Sequence, residues 1–228
     1  MKAEEDSKLQ DIELQDVEDT LGYIAKAFEL NLAPDAFSET KTFGDICQVF
    51  QDNIAYQNEE SCTSQQAFYK IRSAIAVSQK IGRGSVTPLT RLDEVFPRIG
   101  RRKKIKAFQK ELGIPVNFLT MKTWLIFLII GGFITSLVAF FFNWKFALTG
   151  ILTCLIFNWL AMKLRQEIEY TSIGELTMKI TRDHYMQVRR NPNTINRNEI
   201  VKIIQCTFMS DLDLKLSELH KDALLGKI

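Results

Sequence analysis

The sequence predicts an all-α protein in which small helical bundles are joined to a two-helix transmembrane hairpin. Three observations lead there. Residues 123–142 read TWLIFLIIGGFITSLVAFFF without a formal charge, and residues 146–162 form a second uncharged stretch. Elsewhere apolar residues recur three and four apart, the period of one helix face. No long run of alternating β-branched residues competes with that pattern.

The hairpin organises the rest. A hydrocarbon core takes roughly 20 apolar residues as helix, with about 17 to 25 tolerated, and only helices or closed barrels satisfy their backbone groups in lipid. A core helix of a soluble domain is rarely apolar on every face, and no Asp or Glu lies between Pro115 and Gln166. Residues 119–164 are therefore assigned to a membrane hairpin with spans 123–142 and 146–162. Trp124, Trp144 and Trp159 fall near the span ends, where amphipathic rings settle. Thr135, Ser136, Thr149, Thr153 and Asn158 are expected to hydrogen-bond in the packing of the two helices.

Basic residues give the orientation. Arg98, Arg101, Arg102, Lys103, Lys104, Lys106, Lys110 and Lys122 precede the first span, Lys163 and Arg165 follow the second, and the turn holds only Lys145. By the positive-inside tendency both soluble parts and both termini face the cytoplasm, as expected of a protein integral to the inner (plasma) membrane.

In chain order, residues 1–13 are a flexible acidic N-terminus without the apolar core of a signal peptide. Leu14, Val17, Leu21, Ile24 and Phe28 make one helix face, which Pro34 ends. Thr42 and Asp45 form a capping-box start to a helix carrying Phe43, Ile46, Val49, Phe50 and Ile54. Ser64 to Lys80 is a third helix, with Ala67, Phe68, Ile71, Ala74 and Ile75 inward, and Gly82-Arg83-Gly84-Ser85 is its terminating turn rather than a phosphate loop. Arg101 to Leu112 is helical and basic, stopped by Gly113-Ile114-Pro115. Beyond the membrane, a short helix follows Ser172, and Arg182-Asp183-His184-Tyr185 reads as a solvated helix end. Asn191-Pro192-Asn193 is a turn, and Asn198 to Ser210 carries Ile200, Ile203, Ile204 and Phe208 on one face.

Composition excludes several classes. With 228 residues, a net charge of +2 and 46% hydrophobic residues, the chain is neither a polyacid nor a polybasic nucleic-acid binder. Cys47, Cys62, Cys154 and Cys206 are scattered, and His184 and His220 are the only histidines, so no metal site and no cofactor is expected. No catalytic nucleophile, acid–base pair or hydrolase elbow can be assigned.

An internal echo runs through the soluble parts. Lys26-Ala27-Phe28 recurs as Lys106-Ala107-Phe108, and Thr42-Phe43-Gly44-Asp45-Ile46 as Ser172-Ile173-Gly174-Glu175-Leu176. The order of helices and the phrase Glu111-Leu112-Gly113-Ile114 resemble the acyl carrier protein family, a small four-helix bundle. The resemblance implies two copies. One uses 62–114 with 167–184 and is interrupted by the hairpin; the other is joined out of order from 195–228 and 14–56. In that family a serine of Asp-Ser-Leu accepts phosphopantetheine. The matching positions here hold Leu14 and Arg98, which cannot form the phosphodiester, so the resemblance argues against carrier activity.

The expectation is thus a non-enzymatic, membrane-anchored, acyl-carrier-like protein acting as a tether or assembly platform, with the bilayer and acyl carrier proteins or synthases of lipid or polyketide-type synthesis as partners. The alternatives are a functional carrier with an unrecognised phosphopantetheine site and an integral membrane lipid-modifying enzyme. Arg101, Arg102, Lys103, Lys104 and Lys106 are the candidate docking residues, for anionic lipid or for an acidic partner helix.

Overall fold

The apolar faces read from sequence are realised in a computed structural model that describes residue 9 and residues 12–225. The helices are α1 (Leu14–Ala27), α2 (Phe43–Asn53), α3 (Thr63–Gln79), α4 (Leu92–Val95), α5 (Arg101–Leu112), α6 (Thr123–Ala139), α7 (Trp144–Leu164), α8 (Ile173–Asp183), α9 (Tyr185–Val188) and α10 (Arg197–Asp211). The chain divides into two compact units, residues 1–72 with 177–228 and residues 73–176, the boundary falling within α3 and α8.

Among the described residues, four two-residue strands depart from a purely helical reading. β1 (Gln57–Asn58) runs parallel to β4 (Thr194–Ile195), and β2 (Leu119–Thr120) antiparallel to β3 (Glu167–Ile168). Two residues are too few to display a period of two, so nothing in the sequence could announce them. The expected flexible segment 1–13 lies largely outside the described residues, but Leu9 is buried in the core of the first unit.

That core is built on α1, α2 and α10. Val17, Leu21 and Ile24 pack with Ile46, Phe50, Ile200, Ile204 and Phe208. Aromatic rings bind it together: Phe28 lies 5.1 Å from Tyr185 and 6.3 Å from Phe50, and Phe43 meets Phe208 edge-on at 5.4 Å. Each such buried side chain contributes about 1.5–3 kcal/mol. The second unit is centred on Phe96, Phe108 and Phe118, whose rings lie 5.5–6.3 Å apart.

One backbone device appears twice. In the first unit the amides of Phe43 and Gly44 donate to the carbonyls of Ala223 (2.9 Å) and Lys221 (2.8 Å), and Leu225 N–H donates to Lys41 O (3.0 Å). In the second, Ile173 and Gly174 donate to Thr90 O (3.0 Å) and Pro88 O (2.8 Å), and Leu92 N–H donates to Thr171 O (3.0 Å). Thr42 Oγ1 accepts from Asp45 N–H as Ser172 Oγ accepts from Glu175 N–H, and each acid reaches back to an amide before its helix. The otherwise orphaned amides of both helix starts are thereby satisfied. The approach requires glycine at Gly44, where a Cβ would meet Lys221 O at 2.6 Å, and is tight at Gly174, where one would meet Pro88 O at 3.1 Å.

The likeness keeps step along the chain. The 3-10 turns Arg83–Ser85 and Leu216–Glu218 correspond, and buried Ala67, Ile71, Ala74 and Ile75 match buried Ile200, Ile204, Thr207 and Phe208. Buried Val17, Leu21 and Ile24 of α1, with Phe28 just after it, match Arg101, Ile105, Phe108 and Leu112 of α5, a left-handed residue following in each case, Glu29 (φ 53°) or Gly113 (φ 72°). In this register Phe28 answers to Leu112, so the Lys-Ala-Phe echo is out of step by one helical turn. The buried face sets the register, and a repeated triplet does not report it. Residues 31–40 in one copy therefore stand where 115–170, with the apolar helices, stand in the other.

Candidate functional site

The apolar helices α6 and α7 grow out of the second unit through β2 and β3. Leu119 pairs with Ile168 and Thr120 with Glu167, while Glu169 N–H donates to Phe118 O at 3.0 Å. Phe118 belongs to the aromatic triad, so the root of the pair is continuous with the core.

The two helices meet through small residues. A Cβ on Gly132 would lie 3.0 Å from Cys154 Sγ, one on Gly150 would strike the Ser136 side chain, and Ser136, Ala147 and Ala161 are buried. The large side chains face outward: Phe127, Phe141, Phe142, Trp144, Phe146 and Trp159 are all exposed, Phe141 at 88%. Small residues inside and bulky apolar ones outside is the packing logic of helices in lipid; in water such a surface is an unmatched patch.

The span boundaries differ from the sequence reading. Only Trp144–Lys163 is, by length and composition, a helix able to cross a membrane among the described residues, while α6 is a shorter apolar helix. It ends at Ala139, leaving Phe140–Phe142 in a turn, and Asn143 accepts from Lys145 N–H (3.0 Å), starting α7 at Trp144. The polar residues also behave differently. Thr135, Ser136, Thr149 and Thr153 donate at 2.8–2.9 Å to Gly131 O, Gly132 O, Lys145 O and Thr149 O of their own helices. A hydroxyl on an apolar helix finds the carbonyl four residues back before it finds a neighbour. Lys163 Nζ sits 4.2 Å from the Trp159 ring centroid, an aromatic–basic pair at the end of α7.

Among the expected docking residues, Arg101 is corrected. It is 7% exposed, and its guanidinium donates to Phe96 O at 2.7 Å and to Gln166 O, two residues beyond α7. It occupies a position on the buried face, so it is structural. Arg102 and Lys104 are half-buried, while Lys103, Lys106 and Lys110 are exposed. Arg98 lies on an exposed bend before α5 and pairs with Glu167 at 3.3 Å. Leu14 is the exposed first residue of α1. Neither position offers a hydroxyl.

Sequence reasoning missed two polar clusters of the first unit. The buried Arg189 donates to Thr63 Oγ1 (2.7 Å), Ser61 Oγ (3.1 Å) and Thr194 Oγ1 (3.1 Å). Beside it Tyr185 OH donates to Glu199 (3.0 Å) and accepts from Thr63 Oγ1 and Asn196 N–H. The set joins Ser61 and Thr63 to Tyr185, Arg189, Thr194, Asn196 and Glu199 far along the chain, so no spacing could reveal it. The second cluster corrects the solvated helix end: Asp183 has a side chain only 9% exposed, pairing with Lys179 (3.0 Å) and Arg182 (2.9 Å). Burial pushes its carboxyl up, but hydrogen bonds from Tyr23 and Arg182, with the charges of Arg182 and Lys179, outweigh that and hold it below the ordinary 3.8. Both clusters are closed by their own partners and serve as polar staples.

Among the described residues no group of three or more His, Cys, Asp or Glu side chains is placed to hold a metal ion. No protein-family model, curated protein or solved structure matches this chain.

Proposed function

We propose that the chain is a non-enzymatic membrane protein whose α6–α7 pair anchors acyl-carrier-like bundles to the cytoplasmic face of the inner membrane, as a tether or assembly platform for lipid or polyketide-type synthesis. The observation that carries the anchor is the inverted helix pair, with glycine, serine and alanine inside and phenylalanine and tryptophan outside. At about 25 cal/mol per Å² of apolar surface, leaving those rings in water is costly, and lipid removes the cost.

The carrier likeness is supported by the repeated helix–loop–capped-helix device and by the place of the α6–α7 insertion between Ile114 and Thr171. Leu14 and Arg98 at the two serine positions argue against carrier activity, since neither side chain can take the phosphodiester. Extraction of membranes with alkaline carbonate should leave the full chain in the pellet, and gentle detergent pulldown should recover acyl carrier proteins or synthases. Release into the carbonate supernatant refutes the anchor. Recovery of no such protein refutes the platform.

A further inference from the structure

We propose that the exposed face of α5 binds anionic lipid headgroups, an inference that rests on the anchoring of α6–α7. Its buried face is Arg101, Ile105, Phe108 and Leu112, which leaves Lys103, Lys106 and Lys110 on the solvent side at spacings of three and four. The helix itself is poorly served by this arrangement. Its first turn holds four cations and no acid, against the positive end of the helix dipole. Its N-cap is Gly100, whose left-handed backbone supplies no side-chain cap. Lys103–Lys106 and Lys106–Lys110 add like-charge pairs at spacings that destabilise a helix. A residue set that breaks several local rules at once points to an external counter-charge.

Position supplies the counter-charge. The Arg101 guanidinium holds Gln166 O, so the first turn of α5 is bonded to the residue that follows the end of α7 by two. At 1.5 Å rise per residue, Lys103 and Lys106 stand roughly 3 and 8 Å along the axis from Arg101. A charged surface acts over ~10 Å at ordinary salt, so a leaflet at the level of the Arg101–Gln166 contact is within reach of both. Lys110 is farther along the helix from that contact. A basic residue near an anionic leaflet gains about fivefold in partitioning, so the three lysines act as a graded set with Lys103 and Lys106 leading.

The test uses the full chain reconstituted in nanodiscs of mixed phosphatidylglycerol and phosphatidylcholine, reading the enrichment of phosphatidylglycerol retained around the protein. Wild type should enrich the anionic lipid severalfold, and high sodium chloride should abolish the enrichment. K103Q/K106Q/K110Q should bring it near unity with helicity and thermal midpoint unchanged, and the corresponding triple arginine variant should restore it. Equal enrichment by wild type and the glutamine variant, with the chain still inserted, overturns this inference and leaves the anchor standing. Failure of the chain to insert overturns both.

Discussion

Replacing Gly44 with alanine probes the repeated device where it is tightest. A Cβ there would meet the Lys221 carbonyl oxygen at 2.6 Å, and backbone cannot turn aside as a side-chain tip does. The 221–225 strap must lift, breaking the bonds from Gly44 N–H to Lys221 O and from Phe43 N–H to Ala223 O. Each contributes about 0.5–1.5 kcal/mol net, and alanine returns at most about 1 kcal/mol of helix propensity. The first unit should lose about 1–2 kcal/mol, a factor of roughly 5 to 30 in local opening. Hydrogen exchange on the full chain in mild detergent reads this directly, through faster exchange of 43–54 and 219–225. Gly174→Ala is the internal control: its Cβ would meet Pro88 O at 3.1 Å, a contact relieved by a few tenths of an ångström, so its net change should stay within about 0.5 kcal/mol. Unchanged exchange in Gly44→Ala, or equal effects of the two substitutions, would refute the reasoning.

Other outcomes follow from named contacts. Arg101→Met strands the Phe96 and Gln166 carbonyls and should cost about 2–3 kcal/mol, whereas Lys103→Met should stay within about 0.5 kcal/mol; urea midpoints in detergent separate them. Tyr185→Phe leaves the buried Asn196 amide without its acceptor and should cost about 1–3 kcal/mol, measured the same way. Because the Asp183 carboxyl is held below 3.8 in the fold, its contribution is present above 3.8 and lost as pH falls through the lowered value. Asp183→Asn should therefore be less stable than wild type near neutrality, with the gap narrowing in acid; a gap that widens in acid would contradict the assignment. Burial pushes the Cys47 thiol up to about 12, while Cys62 and Cys206 are exposed. Maleimide should label Cys62 and Cys206 in the folded protein and Cys47 only after unfolding, read by peptide mass.

The helices were legible wherever one face alone is buried. Leu21-Ile24-Phe28 and Ile200-Ile204-Phe208 announce themselves by spacing, and the Thr42–Asp45 cap by chemistry. Span ends were not legible, because Phe140–Phe142 is as apolar in a turn as in a helix and a single Asn143 cap decides where α7 begins. Arg101 reads as one cation among four, and only the register of Ile105 and Phe108 turns it inward. The Tyr185–Arg189 cluster gathers residues from 61 to 199 and has no local signature at all.

The proposal that the α6–α7 pair is a membrane anchor with both of its ends on the cytoplasmic side is tested most directly by sidedness. Intact cells carrying Asn143→Cys in a background keeping native Cys206 are treated with a membrane-impermeant maleimide, before and after permeabilisation. The account predicts labelling of position 143 from outside and of Cys206 only once the membrane is opened. Labelling of both positions from the same side would contradict it.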